Sequence, residues 1–223
     1  CMRDFLIDGV KRDRLPWAGD LSVSLLANAY SFRDPEIVKR TLTVLDSAGW
    51  EAGDVNGIID YSLWHVISHE KFQEHFGDLD FLKASYPKIA GRLESFAARA
   101  NADGLLKDDG AEGSKIWLFI DWTPDAKSTT ALNAIYYGAL KAGAELAGIQ
   151  RQWEDADRWQ KRAEQVKKAP RAVVMRILTQ RAVDHYQTIP TNSTVTWEFG
   201  GLEGSEGLAV RMRFTNQYEM RQD

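Results

Sequence analysis

Leu132-Asn-Ala-Ile-Tyr-Tyr-Gly-Ala-Leu-Lys-Ala-Gly-Ala-Glu-Leu146 sets Leu132, Ile135, Tyr136, Ala139, Leu140, Gly143 and Leu146 at intervals of three and four. At 3.6 residues per turn this spacing gathers them on one side of a helix. The same period runs through Leu82, Tyr86, Ile89, Leu93, Phe96 and Ala97, and in shorter form through 21–30, 36–45, 58–76 and 153–166. The punctuation between the stripes is explicit. Asp34-Pro35 offers an N-cap followed by a proline at the first helical turn, Gly77-Asp78 ends one helix, and Ser128-Thr-Thr130 caps another. Six helices result, readable as three antiparallel pairs. Ahead of each pair lies a segment rich in Asp, Trp and Gly, at 8–20, 53–64 and 104–122. Hairpins packed side by side would bring all three segments to one rim.

Beyond Pro170 the texture changes. A last helical stretch over 173–186 leads to Pro190, and then 194–199 and 208–214 alternate apolar with polar residues at a period of two. With the glycine-rich connection 200–207 between them, these read as a β-hairpin. The expected organisation is a mainly α body over 1–187 with a small β-hairpin appendage over 188–223.

Composition narrows the chemistry. The chain has 223 residues with an apolar fraction of 44%, enough for a sizeable core, so it is not a disordered chain. Its 28 basic and 32 acidic residues leave a net charge of −4, which excludes the cationic excess that nucleic acids and anionic membranes reward. The longest stretch free of charge, 128–140, is shorter than the roughly 18 apolar residues of a membrane span. The one cysteine, Cys1, has no partner for an internal disulfide or a thiolate metal site. No signal pattern precedes the dense segment that starts at Asp8, so the expectation is a chain that starts inside a larger protein, with its compartment unreadable. Eight tryptophans in an acidic chain suit the faces of sugar rings.

Asp8-Gly-Val-Lys-Arg-Asp-Arg-Leu-Pro-Trp-Ala-Gly-Asp20 holds three acids, three bases and a tryptophan. Pro16 and Gly19 argue against a helix through it, which puts the acids on a loop shaped by Arg–carboxylate pairs. One reading is structural: Asp20 caps the helix that starts at Leu21, and the arginines neutralise their neighbours. The other is chemical. Glycoside hydrolysis needs a carboxylic acid to protonate the leaving oxygen and a carboxylate to activate water, beside aromatic faces and charged groups that hold hydroxyls.

Arg12-Asp13-Arg14, Trp17, Gly19 and Asp20 resemble the signature of the α-L-rhamnosidases of glycoside hydrolase family 78, D-C-P-Q-R-D-E-R-x-x-W-x-G-D. Asp60-Tyr-Ser-Leu-Trp64 resembles the family's second substrate loop and Phe119-Ile-Asp-Trp122 its third, so the likeness covers roughly residues 5–170. The resemblance implies an (α/α)6 six-hairpin barrel, here partial, with inverting hydrolysis of a terminal α-L-rhamnoside at one rim and no metal or cofactor. It assigns Asp8 and Asp20 to sugar hydroxyls and Trp17, Trp64 and Trp122 to the aromatic wall, with Arg12, Asp60 and Asp121 as further substrate contacts. One residue fewer separates Asp8 from Trp17 than in the usual form. Counting back from Trp17 puts Asp13 at the position of the general acid; pairing the Arg-Asp dipeptides leaves that acid deleted. The first count is preferred. Ser193-Thr-Val-Thr-Trp-Glu198 resembles the context of the family's catalytic base, which implies that role for Glu198, although only three hairpins precede it. The same alternation also fits an ordinary strand with Glu198 on its polar side.

Three further features take plainer readings. His65 and His69 share a helical face, but no third ligand is spaced to join them and the His-Glu-x-x-His order is absent, so no metal site is expected. The charged stretch 151–162 reads as a solvated outer helix with Trp153 and Trp159 partly packed. Three pairs cannot close a six-pair ring, which leads to the expectation that the 132–146 stripe faces water and that activity is weak or lost. The leading expectation is a rhamnoside-cleaving glycosidase, with a non-catalytic carbohydrate-binding helical protein as the alternative. A purely structural helical domain is the third possibility.

Overall fold

A computed structural model describes residues 4–47, 53–106, 118–119, 129–168, 194–198 and 209–213, the last two segments and 129–130 as backbone only. The chain divides into two compact units, Cys1–Arg171 and Ala172–Asp223. Among its described residues the first holds six α-helices: α1 (Ala18–Ser31), α2 (Pro35–Ser47), α3 (Ile59–Phe76), α4 (Leu79–Arg99), α5 (Thr129–Ile149) and α6 (Trp153–Lys167). In the second, β1 (Thr194–Glu198) pairs antiparallel with β2 (Ala209–Arg213), Thr194 facing Arg213 and Glu198 facing Ala209. The mainly α architecture of helical hairpins with a small β-hairpin thus matches the sequence pattern. The expected helix over 173–186 lies outside the described residues. None of the described helices is long and apolar enough to cross a membrane.

The helix boundaries follow from capping chemistry. Asp34 accepts the backbone N–H groups of Glu36 and Ile37 at 3.0 and 3.3 Å, satisfying two of the donors that a helix start leaves unpaired. Gly77 ends α3 in the left-handed region with φ 69°, and Asp78 starts α4 by accepting the N–H of Phe81 at 2.9 Å. Pro87 lies inside α4, which runs on through it. A proline there removes one helical hydrogen bond, and the burial of Leu82, Ile89, Leu93 and Phe96 on both sides of it holds the helix together.

Helices α1, α3 and α5 lie side by side in that order, with α2 against α3 and both α4 and α6 against α5. Two apolar clusters meet along α3. Leu63 and Val66 face the cluster shared with α4, α5 and α6, while Ile58, Tyr61 and Phe72 face the one shared with α1, α2 and Leu6 of the N-terminal segment.

Packing corrects three expectations. Helix α1 starts at Ala18 with Trp17 at its N-cap, so Asp20 stands inside the first turn and is not the cap. Leu132, Tyr136, Leu140 and Leu146 are buried because α4 and α6 cover α5. Among the described residues the large exposed apolar side chains include Val23, Tyr30 and Phe32, in and just after α1. Finally, Trp159 is fully buried, its Nε1–H donating to Glu94 at 3.1 Å, whereas Trp153 is 66% exposed. Charge on the flanking residues does not reveal which ring of α6 turns inward.

Candidate active site

Asp8 organises the loop ahead of α1. Its Oδ2 accepts the N–H of Asp13 at 3.1 Å, its Oδ1 accepts the N–H of Leu15 at 3.2 Å, and its own N–H donates to the Leu15 carbonyl at 3.2 Å. Arg14 turns the chain with φ 60° and donates from Nε to the Val10 carbonyl at 3.0 Å. Removal from water works against the Asp8 charge, but the backbone N–H groups of Asp13, Gly9, Leu15 and Arg14 prevail and hold the carboxyl below the usual range. Each oxygen of a carboxylate can accept more than one hydrogen bond, so the clamp leaves Asp8 able to accept from a ligand. Arg12 and Asp13 are exposed at the loop tip.

The far end of the loop is pinned by Asn56. Its Oδ1 accepts the N–H of Ala18 at 3.0 Å and its Nδ2 donates to the Pro16 carbonyl at 3.1 Å. Asn56 is buried and holds φ 57°, in the short 3-10 turn Val55–Gly57 that precedes α3. The carboxyl of Asp20, one turn into α1, is raised by partial desolvation and by the charges of Asp8 and Asp13, with Arg12 opposing. The two carboxylates of this loop are therefore shifted in opposite directions, Asp8 downward by N–H donors and Asp20 upward by desolvation.

Three segments meet at Tyr61. Its buried ring stands edge-on to Trp17 with centroids 6.2 Å apart and edge-on to Phe119 at 5.5 Å. Desolvation raises its phenol, and the nearby charges of Asp20, Asp60 and Asp8 raise it further against Arg12. Asp60, at the start of α3, is buried and accepts the N–H of Phe119 at 2.9 Å. One turn on, half-buried Trp64 packs against the same apolar cluster as Trp17 and Phe119. The structure thus gathers Asp8, Arg12, Asp13, Trp17, Asp20, Asp60 and Trp64 around the starts of α1 and α3. Asp121 and Trp122 lie outside the described residues. Glu198 ends β1 in the second unit, where the backbone pairing is what is described.

Sequence spacing named no third ligand for His65 and His69, yet Asp46 of α2 stands beside both, 3.9 and 3.8 Å from their Nε2 atoms. Arg92 of α4 bridges two members of this group. One guanidinium nitrogen donates to Asp46 at 2.7 Å and to His65 Nδ1 at 2.8 Å, while His65 Nε2 bonds to the Leu42 carbonyl at 3.1 Å. With both His65 nitrogens engaged and a guanidinium on the carboxylate, a cation would have to displace Arg92. The group therefore ties α2, α3 and α4 together and is no ready-made metal site. Desolvation, joined by Arg92, drives His65 down to about 3, and desolvation likewise depresses His69.

Sequence reasoning gave no role to Asn56 or to Tyr61. The Asn56-Gly57 dipeptide is a turn signal that hints at the first. Nothing in the local pattern shows that Tyr61 meets Trp17 and Phe119, residues distant in sequence.

The comparisons with known proteins agree with this architecture. A model of the bacterial α-L-rhamnosidase six-hairpin glycosidase domain matches residues 1–174. The fold is similar to that of a rhamnosidase from Klebsiella oxytoca with rhamnose bound, at a TM-score of 0.66 and 24% identity over 76% of this chain and 35% of that one. It is also similar to a family 78 rhamnosidase of Bacillus sp. GL1, at a TM-score of 0.63 and 23% identity over 74% of this chain and 18% of the other. The chain therefore spans about a third and about a fifth of the lengths of these two structural neighbours. No curated protein matches it in sequence. Since the family match covers well over half of its residues, the chain belongs to the bacterial α-L-rhamnosidase six-hairpin glycosidases.

Proposed function

We propose that this helical unit forms the sugar-binding rim of a glycoside hydrolase that releases terminal α-L-rhamnose with inversion. The observation that carries this reading is the meeting of the carboxylate loop 8–20 and the start of α3 at Tyr61, which puts acids beside half-buried aromatic rings. A sugar ring presents apolar C–H faces and hydroxyl donors together, and this surface offers partners to both. The family membership and the rhamnose bound in the Klebsiella neighbour support the choice of sugar.

In this reading Asp8, still able to accept hydrogen bonds, and Asp20 fix the hydroxyls. Trp17 and Trp64 wall the ring, and Arg12 lies at the rim as a charged donor. Asp121 and Trp122 belong to the same site by their place in the sequence motif. Asp13 gives its proton to the glycosidic oxygen as the bond to the anomeric carbon breaks. Glu198 takes a proton from the water whose oxygen bonds to that carbon from the opposite face.

The test is titration of the purified chain with L-rhamnose by calorimetry, alongside hydrolysis of an aryl α-L-rhamnoside with the product anomer followed by NMR. Saturable binding with at most weak release of the β-anomer is the expected result, and absence of any rhamnose binding would defeat the reading. Binding without turnover would establish the alternative, a non-catalytic carbohydrate-binding protein. The other count of the motif, in which the one-residue deletion removes the proton donor, favours that second reading over a hydrolase.

A further inference from the structure

Among the described residues Asp60 is the most deeply buried carboxyl of this rim, 2% exposed, and no described arginine or lysine is among the groups that shift it. Desolvation pushes its pKa up to about 6 against the opposing N–H groups of Phe119 and of Asp60 itself. A carboxyl held in this way costs stability, so its geometry calls for an explanation. The geometry is specific. Oδ1 receives the N–H of Phe119, a residue 59 positions later in the chain, at 2.9 Å. The neighbouring Tyr61 ring meets the Phe119 ring edge-on and, on its other side, the Trp17 ring. One helix start thus grips segment 118–119 by its backbone and by its side chain, and the same two residues face the loop that carries Asp8, Asp13 and Asp20.

We infer that Asp60 is a positioning residue and not a sugar contact: through the Phe119 N–H it docks segment 118–119 on Tyr61, and the docked aromatic edge completes the wall that begins at Trp17. The inference rests on the proposed rhamnose site for its consequence but not for its geometry. Phe119 is half-buried, which leaves part of the docked segment at the surface where a ligand can reach it.

The experiment compares Asp60→Ala, which removes the acceptor, with Asp60→Asn, which keeps an amide oxygen in its place. Amide hydrogen exchange at Phe119 and the affinity for L-rhamnose are read on each. In Asp60→Ala the Phe119 amide is expected to exchange about a hundredfold faster, as a local opening no longer opposed by the bond, and rhamnose affinity to fall about tenfold. Asp60→Asn is expected to restore most of both. If the Phe119 amide stays protected in Asp60→Ala, the positioning role is overturned. Equal loss of affinity in both variants with Phe119 protected would likewise overturn it, in favour of a direct contact between the carboxylate and the sugar. Should Asp60→Ala fail to fold, Phe119→Ala keeps the N–H and removes the ring. A tenfold loss of affinity there supports the docked wall, and unchanged affinity rejects it. If the wild-type chain binds no rhamnose, the sugar site itself fails, while the exchange rate at Phe119 still decides whether Asp60 holds the segment.

Discussion

Gly19 lies so close to Tyr61 that a Cβ built on it would fall 2.5 Å from Cε1 and 2.8 Å from Cζ of the ring. The first turn of α1 and the start of α3 are therefore in contact through a missing side chain, and this contact sets how near the 8–20 loop comes to the second segment. Replacing a helical glycine by alanine ordinarily stabilises by about 1 kcal/mol. At this position the methyl must move the ring or the helix, and overpacking costs about 1–3 kcal/mol. Gly19→Ala is expected to lower stability in urea denaturation and to weaken rhamnose binding. The double variant Gly19→Ala/Tyr61→Leu, which shortens the opposing side chain, is expected to lose less than the two single changes added together. A stabilised Gly19→Ala protein would show that the contact relaxes freely.

Gly19 also marks where the sequence misleads. A glycine three residues after a proline reads as a helix breaker, which is why the start of α1 was expected at Leu21 with Asp20 as its cap. The glycine is inside the helix for a tertiary reason, the ring of Tyr61, and no local pattern carries that information. Features decided by local chemistry were legible: the stripes of α4 and α5, the cap at Asp34, and the stop at Gly77. Asp46 joining His65 and His69 was not legible, because it comes from another helix. Likewise, the cover that α6 gives to α5 depends on which side of α6 turns inward, and Trp159 decides that by packing, with its N–H satisfied by Glu94.

Asn56 bears on the same loop from below. Its side chain makes two hydrogen bonds to the chain at Pro16 and Ala18 while its backbone holds a left-handed conformation. Asn56→Ala loses both bonds and adds backbone strain, whereas Asn56→Gly loses the bonds and keeps the conformation at no steric cost. Asn56→Gly is expected to cost about 1–3 kcal/mol and Asn56→Ala about 1 kcal/mol more. Thermal denaturation of the two variants checks the order; equal losses would assign the whole effect to the hydrogen bonds.

Buried groups of two kinds, a carboxyl and a pair of imidazoles, tilt the pH dependence of stability in opposite directions. Asp60 has a folded pKa of about 6, above its ordinary value, so the folded chain holds this proton more tightly than the unfolded one. Its penalty is absent below about pH 4 and complete above about pH 6, so stability from this group falls as pH rises through that window. Two pKa units correspond to about 3 kcal/mol, and Asp60→Asn is expected to gain on the wild type by up to that order between pH 4 and pH 7. Denaturant melts at several pH values check it; a constant difference between the two proteins would mean that Asp60 does not titrate in that window.

His65 and His69 act the other way. Both rings bind protons more weakly when folded, chiefly through desolvation, with His65 at about 3. Their contribution is intact above the ordinary histidine pKa of about 6.5 and is lost as pH falls below it, for His65 toward about 3. His69→Phe is expected to flatten the acid limb of the stability curve by up to about 1.4 kcal/mol per pH unit. Arg92→Met tests the same network at neutral pH. It leaves the Asp46 carboxylate without the guanidinium that bonds it at 2.7 Å, and breaking a buried pair of this kind costs about 3–5 kcal/mol. If Arg92→Met is as stable as the wild type at pH 7, the network does not tie α2 to α4.

The assignment of the proton donor can be separated from every structural effect by varying the leaving group. Asp13 is exposed at the tip of the loop, and its backbone N–H donates to the carboxylate of Asp8, the residue proposed to hold a sugar hydroxyl. A general acid contributes about 10²–10⁴-fold, and only where the departing oxygen needs the proton. A nitrophenolate leaves unaided, whereas an alkyl alkoxide does not. Asp13→Asn is therefore expected to lose little on a nitrophenyl rhamnoside and about a hundredfold or more in kcat/KM on an alkyl rhamnoside. Loss of sugar binding or of loop structure would depress both substrates alike, because the rhamnose half of each is the same. Equal losses would thus remove Asp13 as the acid and leave the alternative count of the motif, in which the one-residue deletion has taken the proton donor away.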